Sequence, residues 1–175
     1  MGGLAKRVRA YVRLNGVGYT LRRGVEKVRD RGLREYDRLY RRERAGEAEL
    51  AQQRERKWQA APLVSILVPV YNTDPAMLRA AAESFRAQTY PHWEAILLDG
   101  ASTKPETVQC LKELEKLDGR LRVVFSGENL HISGNSNAAL RHAKGEWIAL
   151  CDHDDLYTPD ALYWVMDAVE RENPD

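Results

Sequence analysis

Leu63-Val-Ser-Ile-Leu-Val-Pro-Val70 is a nearly continuous run of apolar and β-branched residues, the composition of a strand buried on both faces of a parallel sheet. It ends at Tyr71-Asn-Thr-Asp-Pro75. There Asp74 reads as an N-cap and Pro75 as the first residue of a helix to about residue 88, with Met77, Leu78, Ala81 and Phe85 as its buried stripe. The alternation continues downstream. Residues 93–98 make a second strand ending in Asp99-Gly-Ala-Ser-Thr103, Pro105 opens a helix to about residue 117, and residues 121–125 make a third strand. Ser133 is expected to cap a third helix through residue 143, which Gly145 stops. Residues 147–151 form a fourth strand, and a last helix runs from Pro159 to about residue 170. Strand and helix thus alternate four times at intervals of roughly 25–35 residues, the signature of right-handed βαβ units. The expected fold class is α/β, a mostly parallel sheet with flanking helices.

The length of 175 residues accommodates one such domain and an appendage. The overall charge of +1 hides an asymmetry. Residues 1–58 hold 17 Lys/Arg against 8 Asp/Glu, whereas residues 59–175 hold 10 against 18. The chain is therefore read as a basic helical arm and linker over residues 1–58 and an α/β domain over residues 62–175. In the arm, Val8, Tyr11, Val12, Leu33, Tyr36, Leu39 and Tyr40 recur at helical spacing, interrupted at Asn15-Gly-Val-Gly18. A polar helix is expected over residues 47–57. The arm fits a peripheral contact with an anionic membrane surface, or packing on its own domain or a partner. Nucleic acid is not expected, because zinc spacing, a helix-turn-helix and stacking motifs are all missing. No apolar run approaches the ~18 residues of a spanning helix, and no apolar stretch follows the first charges as in a signal peptide. Cys110 and Cys151 read as reduced core residues, so a cytoplasmic location, peripheral at the inner membrane face at most, is expected.

In an open parallel sheet, ligands gather beyond the C-terminal ends of the strands. Those ends carry Tyr71 and Asn72, then Asp99, Ser102 and Thr103, then Glu128, Asn129 and His131, and last Asp152-His-Asp-Asp155. Taken alone, the acidic stretch reads more readily as a loop in which one aspartate caps the next helix than as a metal site. Set level with three other polar strand ends, it reads as a metal–diphosphate site. Neither a Gly-x-Gly-x-x-Gly nor a Gly-x4-Gly-Lys-Ser/Thr phosphate cradle is present. Clustered carboxylates suit Mg²⁺ or Mn²⁺, which would stabilise a departing diphosphate as a Lewis acid.

The motifs, in order, are Val64-Ser-Ile-Leu-Val-Pro-Val-Tyr-Asn72, Ser84-Phe-Arg-Ala-Gln-Thr-Tyr90, Asp99-Gly-Ala-Ser-Thr103, Ile132-Ser-Gly-Asn-Ser-Asn-Ala-Ala-Leu140, Ala143-Lys-Gly-Glu-Trp147 and Asp152-His-Asp-Asp155. As a set over residues 62–172 they resemble the family 2 glycosyltransferases of the GT-A fold, inverting enzymes that use nucleotide-sugar donors. The resemblance implies a Rossmann-like GT-A domain and transfer of a sugar from a nucleotide-diphosphate donor to a hydroxyl of a glycan or lipid-linked acceptor, as in cell-surface polysaccharide synthesis. It places Pro69, Val70, Tyr71 and Asn72 around the donor, with Tyr71 packing on the base and Asp99 in the nucleoside pocket. Asn137 and the 133–136 turn would line the donor side at a helix N-terminus. Asp154 would ligate the metal, and Asp152 would serve the metal and the donor ribose or sugar. Two positions depart from the family pattern: Gly100 stands where a second aspartate is usual, leaving the base open, and His131 stands where glycine is common. His131 is read as a diphosphate contact or a surface residue. No residue after 160 matches the family's general base, so the chain is expected to be the donor-binding half, with the base outside it. The alternative is a catalytically silent nucleotide-sugar module docking on a membrane or partner complex.

Overall fold

In the computed structural model, which describes residues 39–40 and 44–172, all four expected strands form: β1 (Val64–Val70), β2 (Trp93–Asp99), β3 (Leu121–Phe125) and β4 (Trp147–Leu150). They are parallel throughout, in the order β3-β2-β1-β4. The helices are α1 (Glu47–Glu55), α2 (Pro75–Arg86), α3 (Pro105–Leu117), α4 (His131–Leu140) and α5 (Ala161–Glu172). The α/β, parallel-sheet expectation is met. The chain divides into two compact units, Met1–Ala45 and Gly46–Asp175. Of the first, only its end is described, where Arg44 N–H donates to the Tyr40 carbonyl at 2.9 Å. The expected arm helices and the interruption at residues 15–18 lie outside the described residues. Among those described, no helix is long and apolar enough to cross a membrane.

The second unit begins at Gly46, ahead of the expected linker, because α1 is anchored to the sheet domain. Leu50 and Gln53 are buried, and Gln53 Oε1 accepts from the Thr89 hydroxyl at 2.8 Å. Just past the helix, the Arg56 guanidinium lies 4.0 Å over the Trp58 ring, donates to the Tyr163 hydroxyl at 3.1 Å and pairs with Asp167 and Glu170 of α5.

β1 and β2 are buried at every position, as a central strand covered on both faces requires. Val64, Ile66, Val68 and Val70 face one layer with Leu78 and Phe85 of α2, Leu111 and Leu114 of α3, and Leu162 and Met166 of α5. Leu67, Ile96 and Leu98 face the other, under Ala139 of α4. Each such side chain contributes about 1.5–3 kcal/mol of apolar transfer energy. Asp74 caps α2 as expected, accepting from Ala76 N–H at 2.7 Å.

Pro69 within a central strand calls for a reason, since proline removes a ladder donor. Even-numbered β1 residues bond β2, as Val64 N–H to His92 and Gly100 N–H to Val70 show, while the odd-numbered carbonyls of Leu63 and Leu67 accept from β4. The β4 pairing ends at Leu67–Leu150, so the missing N–H at 69 falls where no partner strand runs.

At the opposite end of the sheet, β4 is pinned to β1. Gly145 N–H donates to the Ser65 hydroxyl at 2.8 Å, which in turn donates to Glu94 at 2.8 Å. Glu94 also accepts Lys144 N–H at 2.7 Å and Arg122 at 3.2 Å. Burial alone would raise the Glu94 carboxyl, but these donors win and hold it below its ordinary value.

Candidate functional site

Because β4 stops opposite Leu67 while β1 continues to Val70, the chain after Cys151 borders the end of β1. Pro69, Val70 and Tyr71 form one part of a cavity of about 660 Å³, Asp152, His153 and Asp154 a second, and Asn129, His131, Ile132, Ser133 and Asn135 a third. The last group brings the N-terminus of α4 to the cavity, a helix end that favours anions. The volume lies within the range of small-molecule sites.

Asp152 and Asp154 are exposed, and among the described residues their carboxylates have no hydrogen bond or ion pair. Buried Cys151 and half-buried Tyr157 register the acidic stretch. The Cys151 thiol is pushed up to about 11, first by burial and then by the charges of Asp155 and Asp152. Tyr157, whose hydroxyl donates to the Leu150 carbonyl at 3.0 Å, is raised by burial and more weakly by Cys151 and Asp155. Among the described residues no group of three or more His, Cys, Asp or Glu could enclose a metal. The donor set still fits a hard divalent cation, because Mg²⁺-type ions are commonly held by one or two carboxylates, with substrate phosphates and water completing the shell.

The other sequence-derived residues fall in different places. Tyr71 presents its ring at 44% exposure in the cavity wall. Asn72 does not line the cavity: at φ 52° its side-chain oxygen accepts Thr103 N–H at 2.8 Å and Lys104 N–H at 3.0 Å, and its own N–H donates to Ser102 at 2.8 Å. It ties the loop after β1 to the loop after β2. Asp99 is 2% exposed; one oxygen accepts Ser102 N–H at 3.1 Å, and the other is buried without a partner among the described residues. Such an acceptor costs about 1–3 kcal/mol unless a donor reaches it. His131 lines the cavity, in the left-handed region at φ 59°. Asn137 is exposed and lies outside the cavity lining, whereas Asn135 is within it. α4 starts at His131 with Leu130 as N-cap, so Ser133 sits inside the first turn and does not cap it. Asn129, named among the strand-end residues, and Asn135, within the expected 133–136 donor-side turn, both line the cavity, whereas Ile132 and His153 carry no role in the sequence reading. The signal for Asn135 was its spacing of four from His131 on one helix.

Comparison with known proteins adds three findings. The family described as Glycosyl transferase family 2 matches residues 65–175. An uncharacterized protein of Sinorhizobium fredii is 48% identical over 120 residues, covering 69% of this chain and 13% of that protein. The putative teichuronic acid biosynthesis glycosyltransferase TuaG of Bacillus subtilis is 38% identical over 101 residues, 58% of this chain and 39% of TuaG. The chain therefore spans well under half the length of these curated relatives. Among solved structures, S. aureus TarS 1–349 in complex with UDP-GlcNAc superposes with a TM-score of 0.58 at 24% identity, over 63% of this chain and 32% of that one. Mannosyltransferase PcManGT from Pyrobaculum calidifontis, in complex with GDP-Man and Mn²⁺, gives 0.55 at 24% identity, over 69% and 37%. These likenesses carry the GT-A fold.

Proposed function

The chain belongs to glycosyl transferase family 2, and from that premise we propose that its cavity holds a nucleotide-diphosphate sugar for transfer to an acceptor hydroxyl. The observation that carries the reading is the convergence on one cavity of Tyr71, the two unpaired carboxylates Asp152 and Asp154, and the N-terminus of α4. Each suits a different part of the donor. The half-exposed Tyr71 ring, beside Pro69 and Val70, offers a face to the base. Asp99 lies outside the cavity lining at 2% exposure, and its acceptor oxygen, without a partner among the described residues, would take an N–H or O–H of the nucleoside once the cover over it opens. The first turn of α4 and the His131 side chain serve the diphosphate. Asp152 and Asp154 would hold Mg²⁺ or Mn²⁺ together with the donor phosphates, and the ion would supply Lewis-acid stabilisation of the leaving diphosphate. Asn72 acts indirectly, fixing the backbone that carries Tyr71.

The acceptor is a glycan or lipid-linked hydroxyl, in keeping with relatives named for teichuronic acid and O-antigen biosynthesis. The base that deprotonates it is assigned to polypeptide other than the residues named here. The basic arm would attach the enzyme to an anionic inner membrane face through charge, which sedimentation with anionic liposomes at low and raised salt examines. Calorimetric titration of the chain with UDP, GDP and dTDP, with and without Mn²⁺, tests the main reading. Metal-dependent binding of at least one is expected, and a folded sample that binds none refutes it. Binding that never leads to transfer or donor hydrolysis, even with an acceptor-side half supplied in trans, would favour the silent module.

A further inference from the structure

One polar side chain of α4 is buried where its neighbours are open. Asn135 is 2% exposed, whereas His131, Ile132 and Ser133, one turn earlier, are exposed. Its Oδ1 accepts Leu130 N–H at 3.1 Å, and its Nδ2 donates to Asn129 Oδ1 at 3.1 Å. The same Asn129 oxygen accepts His131 N–H at 2.9 Å. The N-cap residue Leu130 has no side chain able to cap, so Asn129 and Asn135 together satisfy the entering amides, one from before the helix and one from within it. Between them His131 stands at φ 59°. A residue with a Cβ persists there only when its surroundings over-determine it.

The room for this clasp is made at the end of β2. A Cβ on Gly100 would lie 2.4 Å from Asn135 Nδ2, 3.1 Å from its Cγ and 3.2 Å from Asn129 Oδ1. The backbone there is also tethered, since Gly100 N–H donates to the Val70 carbonyl at 2.8 Å. A side chain at 100 and the amide of Asn135 compete for one volume.

We propose that Asn135 is a positioning residue for donor binding: through Asn129, and in space left by Gly100, it sets the His131 turn that walls the cavity. Gly100, Asn135 and His131 then behave as one unit in affinity for the donor. The proposal rests on the donor reading of the cavity, and its test separates the two. The parent chain, Asn135→Ala, Gly100→Ala, the double variant, and Asn135→Ala in a His131→Ala background are compared. The readouts are amide hydrogen exchange at Leu130 and His131, thermal unfolding, and calorimetric affinity for UDP, GDP and dTDP with Mn²⁺. Asn135→Ala and Gly100→Ala should each speed exchange of both amides and weaken the tightest-bound nucleotide by about tenfold, because a turn released in the free protein must be ordered again when the donor binds. The double variant should lose about tenfold rather than about a hundredfold, and Asn135→Ala should lose far less when His131 is already alanine. Unchanged exchange, additive losses, or a lowered melting temperature with affinity within twofold of the parent would each overturn the proposal. If the parent binds none of the three nucleotides, the donor reading and the binding consequence fail together, and the exchange rates alone decide whether the clasp sets the turn.

Discussion

Gly145→Ala should be among the most damaging single-methyl changes in the sheet domain. A Cβ there would sit 2.5 Å from the Leu63 carbonyl oxygen and 2.7 Å from both Ser65 N and Ser65 Oγ. Two of these are backbone atoms, Ser65 N in buried β1 and the Leu63 carbonyl just ahead of it, so relief must come from β4 moving away. That movement stretches the Gly145 N–H bond to Ser65 and the Lys144 N–H bond to Glu94, each worth about 1 kcal/mol net. A Glu94 carboxylate 7% exposed and short of a donor adds about 1–2 kcal/mol. The total of about 3–4 kcal/mol is a large share of the ~5–15 kcal/mol that holds a domain together. At roughly 3–4 °C per kcal/mol for a unit of this size, the melting temperature should fall by about 10 °C. Thermal unfolding followed by far-UV circular dichroism measures it. Ser65→Ala serves as control: it removes the hydroxyl but leaves the Leu63 and Ser65 backbone contacts, so Gly145→Ala/Ser65→Ala should not recover the loss. A Gly145→Ala variant melting within about 2 °C of the parent would show that β4 is not pinned this way.

Three further outcomes follow from the same contacts. Ala101 stands at φ 57°, where a Cβ costs about 1–2 kcal/mol, so Ala101→Gly should gain about 0.5–1 kcal/mol after the added unfolded-chain entropy, read as a higher urea midpoint; a lower midpoint refutes it. Arg56→Ala removes two ion pairs and the stack on Trp58, and should cost about 1–3 kcal/mol in the same assay; an unchanged midpoint would mean that α1 is not anchored through this residue. Asp118 is held down to about 2, chiefly by the Arg120 side chain, and Glu94 is also depressed. Depressed carboxylates stabilise above their unfolded values and lose that contribution as pH falls through the folded ones. Stability should therefore drop between about pH 4.3 and pH 2, and Asp118→Asn should flatten the lower part of that fall, measured as urea midpoint against pH.

The fold could be read from the sequence where local pattern and tertiary demand agree. The run from Leu63 to Val70 is apolar at nearly every position because β1 is covered on both faces, and Asp74-Pro75 signals the start of α2 with local chemistry alone. α4 begins two residues before the position that Ser133 signals as a local cap, because the structure satisfies the entering amides with Asn129 and Asn135. That solution depends on Gly100, which is distant in sequence. Starting the helix at His131 also places Asn135, one turn on, beside the cavity and leaves Asn137 exposed. α1 carried too little apolar pattern to be assigned to the sheet domain; Gln53 and Arg56 attach it through polar contacts that periodicity does not register. Alternation alone points to the strand ends, of which those after β1, β3 and β4 supply the cavity lining while Asp99, Ser102 and Thr103 after β2 do not. The use of Asn72 was not legible, because its side chain is spent on a neighbouring loop that only the β1–β2 register brings close.

The proposed donor site has its metal–diphosphate end at Asp152 and Asp154. Calorimetric titration of whichever of UDP, GDP or dTDP binds the parent, with and without Mn²⁺, compared across the parent, Asp152→Asn and Asp154→Asn, tests this most directly. Mn²⁺ should strengthen binding to the parent by at least about tenfold, and Asp154→Asn should abolish that gain while melting no lower than the parent. Nucleotide binding that is indifferent to Mn²⁺, or a gain that survives in both variants, would contradict it.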